Sequence, residues 1–482
     1  NYAQAGDVER GVPAILTAAA VMERRYDNIA VARLCGWGLA LLRTGGSVPI
    51  AADRADGDDA GAGPRELEIL MMKGEAEYRA GRLVQARDTL EEACAMALGQ
   101  EDSAALGRAS TRLCVTLLNL GDASKVLEVW EQTAPHLGMD RRIEAARLRR
   151  HAADALRMIG RLEEAVKEAE AAMEQLQAAG AGPGELAGAY HTLGNVAAAR
   201  GIPAAAVGYY EQGIAALRSV PSLEHDAGLL YSLSASAYNC GVSHVMAGHI
   251  EAAADLVQEA RRIWAKLGDE HGLATSLSTL GDIALAKGDL EDAEQLCAES
   301  AALSERLGDL EGMAMARYHQ AGAQAELGRP ADALESLTTA ATILEEQGLK
   351  TVLPSVLASQ AKALLAVGDI AGAGTRLAKA ESLLLGDEVG PAKIGVLAAT
   401  AVLNTHARRF EAARDALQRA VELAASEGLR QMEADIKLEV GRAFIAHGQG
   451  DEGVRLLGEA GKTYDESGLA WWAERARSHA PK

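Results

Sequence analysis

Small apolar residues return in fixed phase along most of this chain, and glycine marks the interval. Gly81, Gly121, Gly160, Gly201, Gly248, Gly288, Gly328 and Gly368 lie about forty residues apart, and Arg408 and Gly448 continue the series. Seven residues before each mark stands a small or modest residue: Gly74, Cys114, Ala153, Gly194, Gly241, Gly281, Ala321, Ala361, Ala401 and Gly441. Five after it stands another: Ala86, Val126, Ala165, Ala206, Ala253, Ala293, Ala333, Ala373, Ala413 and Gly453. Twelve after it the set is small again (Ala93, Ala172, Ala260, Ala420). Nine after it the residues are larger (Leu90, Trp130, Tyr210, Val257, Leu337). Registered copies of one pattern at this period are the signature of a repeat array, in which each unit packs on its neighbours.

A second glycine series, Gly268, Gly308, Gly348, Gly386, Gly428 and Gly468, falls midway between the first. Two stops per unit predict two helices, each closed by a glycine in the left-handed position after its last turn. Asp269, Asp289, Asp309 and Asp369 follow their glycines and are placed to cap the next helix. The unit is a helical hairpin, and its small positions let the two axes cross closely.

The composition supports an all-α chain: proline and aromatics are scarce, with Phe, Trp and Tyr together 4%. With 48 basic against 68 acidic residues the formal charge is −20, which argues against a phosphate-backbone partner. Cys35, Cys94, Cys114, Cys240 and Cys297 form no CxxC pair, so neither a zinc site nor a disulfide framework is expected. No apolar run approaches the roughly 18 residues that would span a bilayer. The expected setting is the cytoplasm, with neither nucleic acid nor membrane as a partner.

The phases resemble those of the tetratricopeptide repeat. Leu193-Gly194, Leu280-Gly281, Gly160-Arg161-Leu162-Glu163-Glu164-Ala165 and Gly288-Asp289-Leu290-Glu291-Asp292-Ala293 carry the likeness. The resemblance covers roughly 65–470 and implies a right-handed α-solenoid of ten to eleven hairpins. It departs in length, about 40 residues against the usual 34 or so. Residues 1–43 read as an entry segment that starts inside a hairpin, because Gly6-Asp7 repeats the turn phrase. The run Val12-Pro13-Ala14-Ile15-Leu16 through Tyr26-Asp27-Asn28-Ile29-Ala30-Val31-Ala32 looks like the junction before the repeat array of STAND-type signalling ATPases. That second resemblance implies a sensor array whose upstream signalling module lies outside this sequence. Residues 44–64, rich in Gly, Asp and Ala, read as a flexible linker, and 471–482 as a C-terminal cap or tail with Trp471 and Trp472. The long interval from Gly201 to Gly248 is either a bend or an insertion.

Catalytic motifs are missing where chemistry would need them. Gly461-Lys462-Thr463 resembles the tail of a P-loop, but Leu456 stands where its first glycine belongs and the context is helical. His244 and His249 are five apart, a spacing that does not bring two ligands together on one helix face. No Gly-x-Ser-x-Gly or His-Glu-x-x-His occurs. No catalytic, cofactor or metal residues are assigned.

What remains is surface. In the resembling family the first helix of each hairpin lines a concave face. Carried onto this register, those positions give Arg147, Arg150, Asp154 and Arg157, then His191 and Asn195, then Tyr238, Val242 and Val245. They continue with Thr275, Ser278, Asp282 and Leu285, and end at Met315 and Tyr318. Spacings of three and four place each group on one helix face. Arg147, Arg150 and Arg157 also belong to a basic stretch with Arg141, Arg142, Arg149 and Arg161, suited to a carboxylate or phosphate unless Asp140, Glu144 and Asp154 neutralise it. The leading expectation is a non-catalytic scaffold or sensor array that binds a protein, a peptide or a small inducer on its concave face. A free-standing adaptor or co-chaperone, and an enzyme with an unrecognised site, are the alternatives.

Overall fold

The protein is described by a computed structural model covering residues 8–23, 27–43, 62–138, 141–384 and 390–479. Gly6, most of the 44–64 segment, Asp140 and Gly386 lie outside the described residues. Among those described there are 23 α-helices and no strand. The chain divides into two compact units at Pro221 and Ser222, inside the long Gly201–Gly248 interval.

The first unit contains α1 (Val8–Glu23), α2 (Asn28–Arg43), α3 (Ala62–Arg79), α4 (Leu83–Gly99), α5 (Ser103–Asn119) and α6 (Ala123–Thr133). It continues with α7 (Arg142–Met158), α8 (Leu162–Ala178), α9 (Pro183–Ala199) and α10 (Pro203–Arg218). The second holds α11 (Ala227–Met246), α12 (Ile250–Leu267), α13 (Glu270–Lys287), α14 (Leu290–Leu307), α15 (Leu310–Glu326), α16 (Pro330–Glu346) and α17 (Leu353–Ala366). After these come α18 (Ile370–Leu383), α19 (Pro391–His406), α20 (Phe410–Ser426), α21 (Arg430–Ala446), α22 (Gly450–Glu466) and α23 (Ala470–Ser478). The entry helices α1 and α2 share a core with α3, through Val12, Ile15, Val31, Cys35, Ile69 and Leu70.

Every turn glycine of the first series is left-handed, from Gly81 at φ +72° to Gly368 at φ +90°. At Gly288 the turn amides close on α13: Gly288 N donates to Leu285 O at 3.0 Å and Asp289 N to Ala284 O at 2.9 Å. These bonds satisfy carbonyls that a helix end leaves open. Arg408 occupies the same conformation at φ +57°, as does Glu101 at +55°, each with the steric cost of a Cβ there. Asp269, Asp309 and Asp369 accept from the backbone N–H three residues on. Asp289 makes no such bond. Its third residue is Asp292, whose charge repels a carboxylate, where the other three turns have glycine.

The small positions are buried throughout, and the structure shows what they meet. The residue seven before the turn faces the residue nine after it, across the hairpin. A Cβ added at Gly194 would come within 2.5 Å of the Tyr210 ring, at Gly74 within 2.7 Å of Leu90, and at Gly241 within 2.6 Å of Val257. Small on one helix and large on the other is a single packing contact, repeated. The first helices of successive hairpins also approach one another (α5, α7, α9 in one unit; α13, α15 and α17, α19, α21 in the other), which makes theirs the inner face.

Three substitutions test this account by urea denaturation. Gly194→Ala is expected to lose about 1–3 kcal/mol by overpacking against Tyr210. Gly395→Ala, in α19 with nothing within 4 Å, should be neutral or stabilising. Arg408→Gly should gain up to about 1 kcal/mol by relieving the left-handed turn.

Candidate functional site

Of the fifteen residues expected on the inner faces, fourteen are half-buried and Thr275 is exposed. On α7 the buried side is made by Ala146, Leu148, Ala152, Ala153, Ala155 and Leu156. That leaves Arg147, Arg150, Asp154 and Arg157 on the other side, beside His191 and Asn195 of α9. The structure brings these six together. Arg147 grips Glu185 with both arms, Nε to Oε2 at 2.9 Å and Nη2 to Oε1 at 2.5 Å. Arg150 lies against Gly188, where a Cβ would be 3.4 Å from its guanidinium. Asp154 accepts from Thr192 Oγ1 at 3.2 Å. Tyr210 donates through its hydroxyl to Asn195 Oδ1 at 2.7 Å and meets the His191 ring edge-on at 5.7 Å.

Burial dominates the electrostatics of this cluster. It lowers the Arg150 pKa despite the charges of Asp154 and Glu185. It raises that of Asp154 against Arg150 and Arg157. His191 is pushed down to about 4, by burial first and then by Arg150 and Arg157. Three guanidiniums (Arg147, Arg150, Arg157) therefore face two carboxylates, Glu185 and Asp154. Three more arginines of the basic stretch lie in pairs: Arg141 with Glu144, Arg149 with Glu168 at 3.2 Å, and Arg161 with Glu164 at 2.6 Å. His151, buried behind Arg150 with neither ring nitrogen hydrogen-bonded, was not anticipated.

In the second unit Tyr238 shares a 2.9 Å hydrogen bond with Thr279. Asp282 Oδ1 lies 3.4 Å from His319 Nδ1. Burial opposes both charges there, yet the pair wins: Asp282 is held below and His319 above its ordinary pKa. Val242, Ser278 and Met315 lie half-buried along the same face, and Tyr318 lies near Lys362. Beyond the expected residues, Lys362 Nζ of α17 pairs with Glu439 of α21 at 2.6 Å. Tyr464 donates to Asp435 at 2.6 Å, and burial leads in raising Asp435 to about 7. Tyr238 and Val245 pack into one apolar cluster with Ile445 and Trp472, so residues from both ends of this unit meet on its inner side.

The spacing argument separates His244 from His249, but the structure joins them, with the Nδ1 atoms 3.3 Å apart. His249 lies beyond the left-handed Gly248 and folds back over the end of α11. Gly461-Lys462-Thr463 is interior to α22, whose backbone N–H groups are committed to the helix. No group of three or more candidate metal ligands is present among the described residues.

The two perturbed groups give opposite pH slopes. His191 titrates at about 4 folded against 6.5 ordinarily, so its contribution is complete above 6.5 and is lost as pH falls towards 4. Asp435 holds its proton to about 7 against 3.8 ordinarily, so its contribution is present at low pH and is lost as pH rises through 7. Urea midpoints should show acidification from pH 7 to 4.5 costing wild type more than His191→Asn. Raising the pH from 5 to 8 should cost wild type more than Asp435→Asn.

Residues 272–346 match the family model of the tetratricopeptide repeat. Among solved structures the chain is similar to the apo form of RapI, at 14% identity and a TM-score of 0.54, over 77% of this chain and 98% of that one. It is also similar to a Rap protein complexed with competence and sporulation factor, at 11% identity and TM-score 0.48, over 70% and 97%. A third is a Pyrococcus horikoshii signal transduction ATPase with numerous domains and a tetratricopeptide repeat sensor, at 12% identity and TM-score 0.48, over 84% and 55%. At 14% identity the likeness to RapI is one of fold. No curated protein matches the sequence.

Proposed function

We propose that this chain, whose residues 272–346 match the tetratricopeptide repeat, is a non-catalytic interaction scaffold whose α7–α9 face binds an acidic peptide segment of a partner protein. The observation that carries this reading is the surplus of one guanidinium. Arg147 is committed to Glu185, and Arg150 and Arg157 share Asp154. A half-buried arginine short of a counter-charge is poised to take a carboxylate bidentately, in a dielectric lower than water. The rigid first helices hold these side chains in fixed register, and Thr192 and Asn195 of α9 hold Asp154 in place by hydrogen bonds. Such a face selects by charge and by repeat spacing, as an array that recognises extended segments does.

The experiment is a binding screen of labelled Asp/Glu-rich peptides against matched Lys/Arg-rich ones, read by fluorescence anisotropy. Wild type should prefer the acidic set, with affinity falling as salt rises. Arg150→Gln combined with Arg157→Gln should weaken the best acidic peptide at least about tenfold, the scale of one lost charge-assisted hydrogen bond. An unchanged affinity in the double variant, or no preference for acidic peptides, overturns the assignment.

A further inference from the structure

Gly288 differs from every other left-handed turn glycine among the described residues. At the others nothing lies within 4 Å of a notional Cβ, but at Gly288 the Trp471 indole covers that face. Trp471 belongs to α23, a nine-residue helix too short to persist alone. Ala473 and Ala476 of α23 are buried in the cluster that α22 shares. Its larger side chains reach elsewhere. Trp472 Nε1 donates to Leu285 O at 3.3 Å, at the end of α13. Arg475 Nη2 donates to Glu326 O and to Glu326 Oε2, both at 3.3 Å, at the end of α15. Arg475 also lies over the Trp471 ring, 5.6 Å from its centroid, and the two indoles meet edge to face at 4.8 Å.

The receiving surface has a definite chemistry. Both backbone acceptors are carbonyls from the last turn of a helix, where negative potential concentrates, and Leu285 O keeps a second lone pair beyond the one that takes Gly288 N–H. Glu326 adds a carboxylate, and Arg442 Nη1 holds its other oxygen at 3.0 Å. An acceptor-rich patch beside a glycine, which offers no side chain of its own, fits a flat aromatic donor and a cation, which is what α23 brings.

We propose that the C-terminal ends of α13 and α15 form a docking surface for a short helix with two adjacent aromatic residues and an arginine four positions after the first. In this structure α23 fills that surface in cis. A partner helix of the same chemistry takes it in trans by displacing α23.

The probe is a labelled peptide of residues 468–482, tested on the full chain. An occupied site weakens apparent affinity by the inverse of its open fraction, so wild type should bind poorly. Trp472→Ala with Arg475→Ala frees the site and should tighten peptide binding at least about tenfold. Adding Glu326→Arg should erase that gain. Hydrogen exchange at 284–289 should rise in the double variant and fall again with peptide. Gly288→Ala gives a milder route, since its methyl group strikes Trp471. It should raise exchange in α23, while Gly368→Ala, at φ +90° with open space around it, should not. No gain in peptide binding, a gain that survives Glu326→Arg, or equal exchange in the two glycine variants overturns the proposal. So does a stable dimer by sedimentation with 284–289 still protected, because α23 would then be exchanged between copies.

Discussion

Everything in this fold hangs on a contact with no room to spare, between the residue seven before each turn and the residue nine after it. Gly194 exists as glycine because Tyr210 lies across the hairpin, and Gly74 because Leu90 does. The left-handed glycine sets the angle at which the second helix returns, and the small-against-large pair sets how near it comes. Once both are fixed, the alanines five and twelve after the turn are drawn inside, and the next hairpin has a surface to stack on. The exceptions keep the rule visible. Arg408 retains the left-handed turn without glycine, so the conformation is imposed by packing on either side and not by the residue's own preference.

That constraint frees the remaining positions. Residues on the inner sides of the first helices take no part in the hairpin contact, and the two units use them differently. In the first they carry arginines in excess of carboxylates. In the second they carry half-buried polar pairs (Asp282 with His319, Lys362 with Glu439, Tyr464 with Asp435), of which Lys362 and Glu439 join helices 77 residues apart. A pair of this kind is satisfied only when both members are in place.

The fold was legible because its determinants are local and periodic: a turn glycine and two small residues, all within one hairpin. The inner-face residues were legible for the same reason, since position along the repeat decides which side of a helix they occupy. The register reached further than the fifteen positions taken from it. Applied to the later hairpins, the phase of Asp154, Asn195 and Asp282 points to Lys362 and Arg442, and the phase of Arg147 points to Asp435. What the pattern does not hold is the partner of each charge. Glu185 lies 38 residues from Arg147, and Glu439 lies 77 from Lys362. These separations depend on how hairpins stack, which no single repeat records. Trp472 reads as a local cap for the same reason: nothing near it in sequence reveals that its indole ends on Leu285.

That last contact changes what kind of object the second unit is. An open stack of hairpins tolerates gain or loss of a copy, because each added unit meets only its neighbours. A stack whose last helix rests on Leu285 and Gly288 does not. One more hairpin would carry Trp471 past its seat, and one fewer would leave it short. The number of repeats between α13 and α23 is thus fixed by geometry. In a lineage of such proteins this is the stretch expected to keep its length while arrays elsewhere grow and shrink.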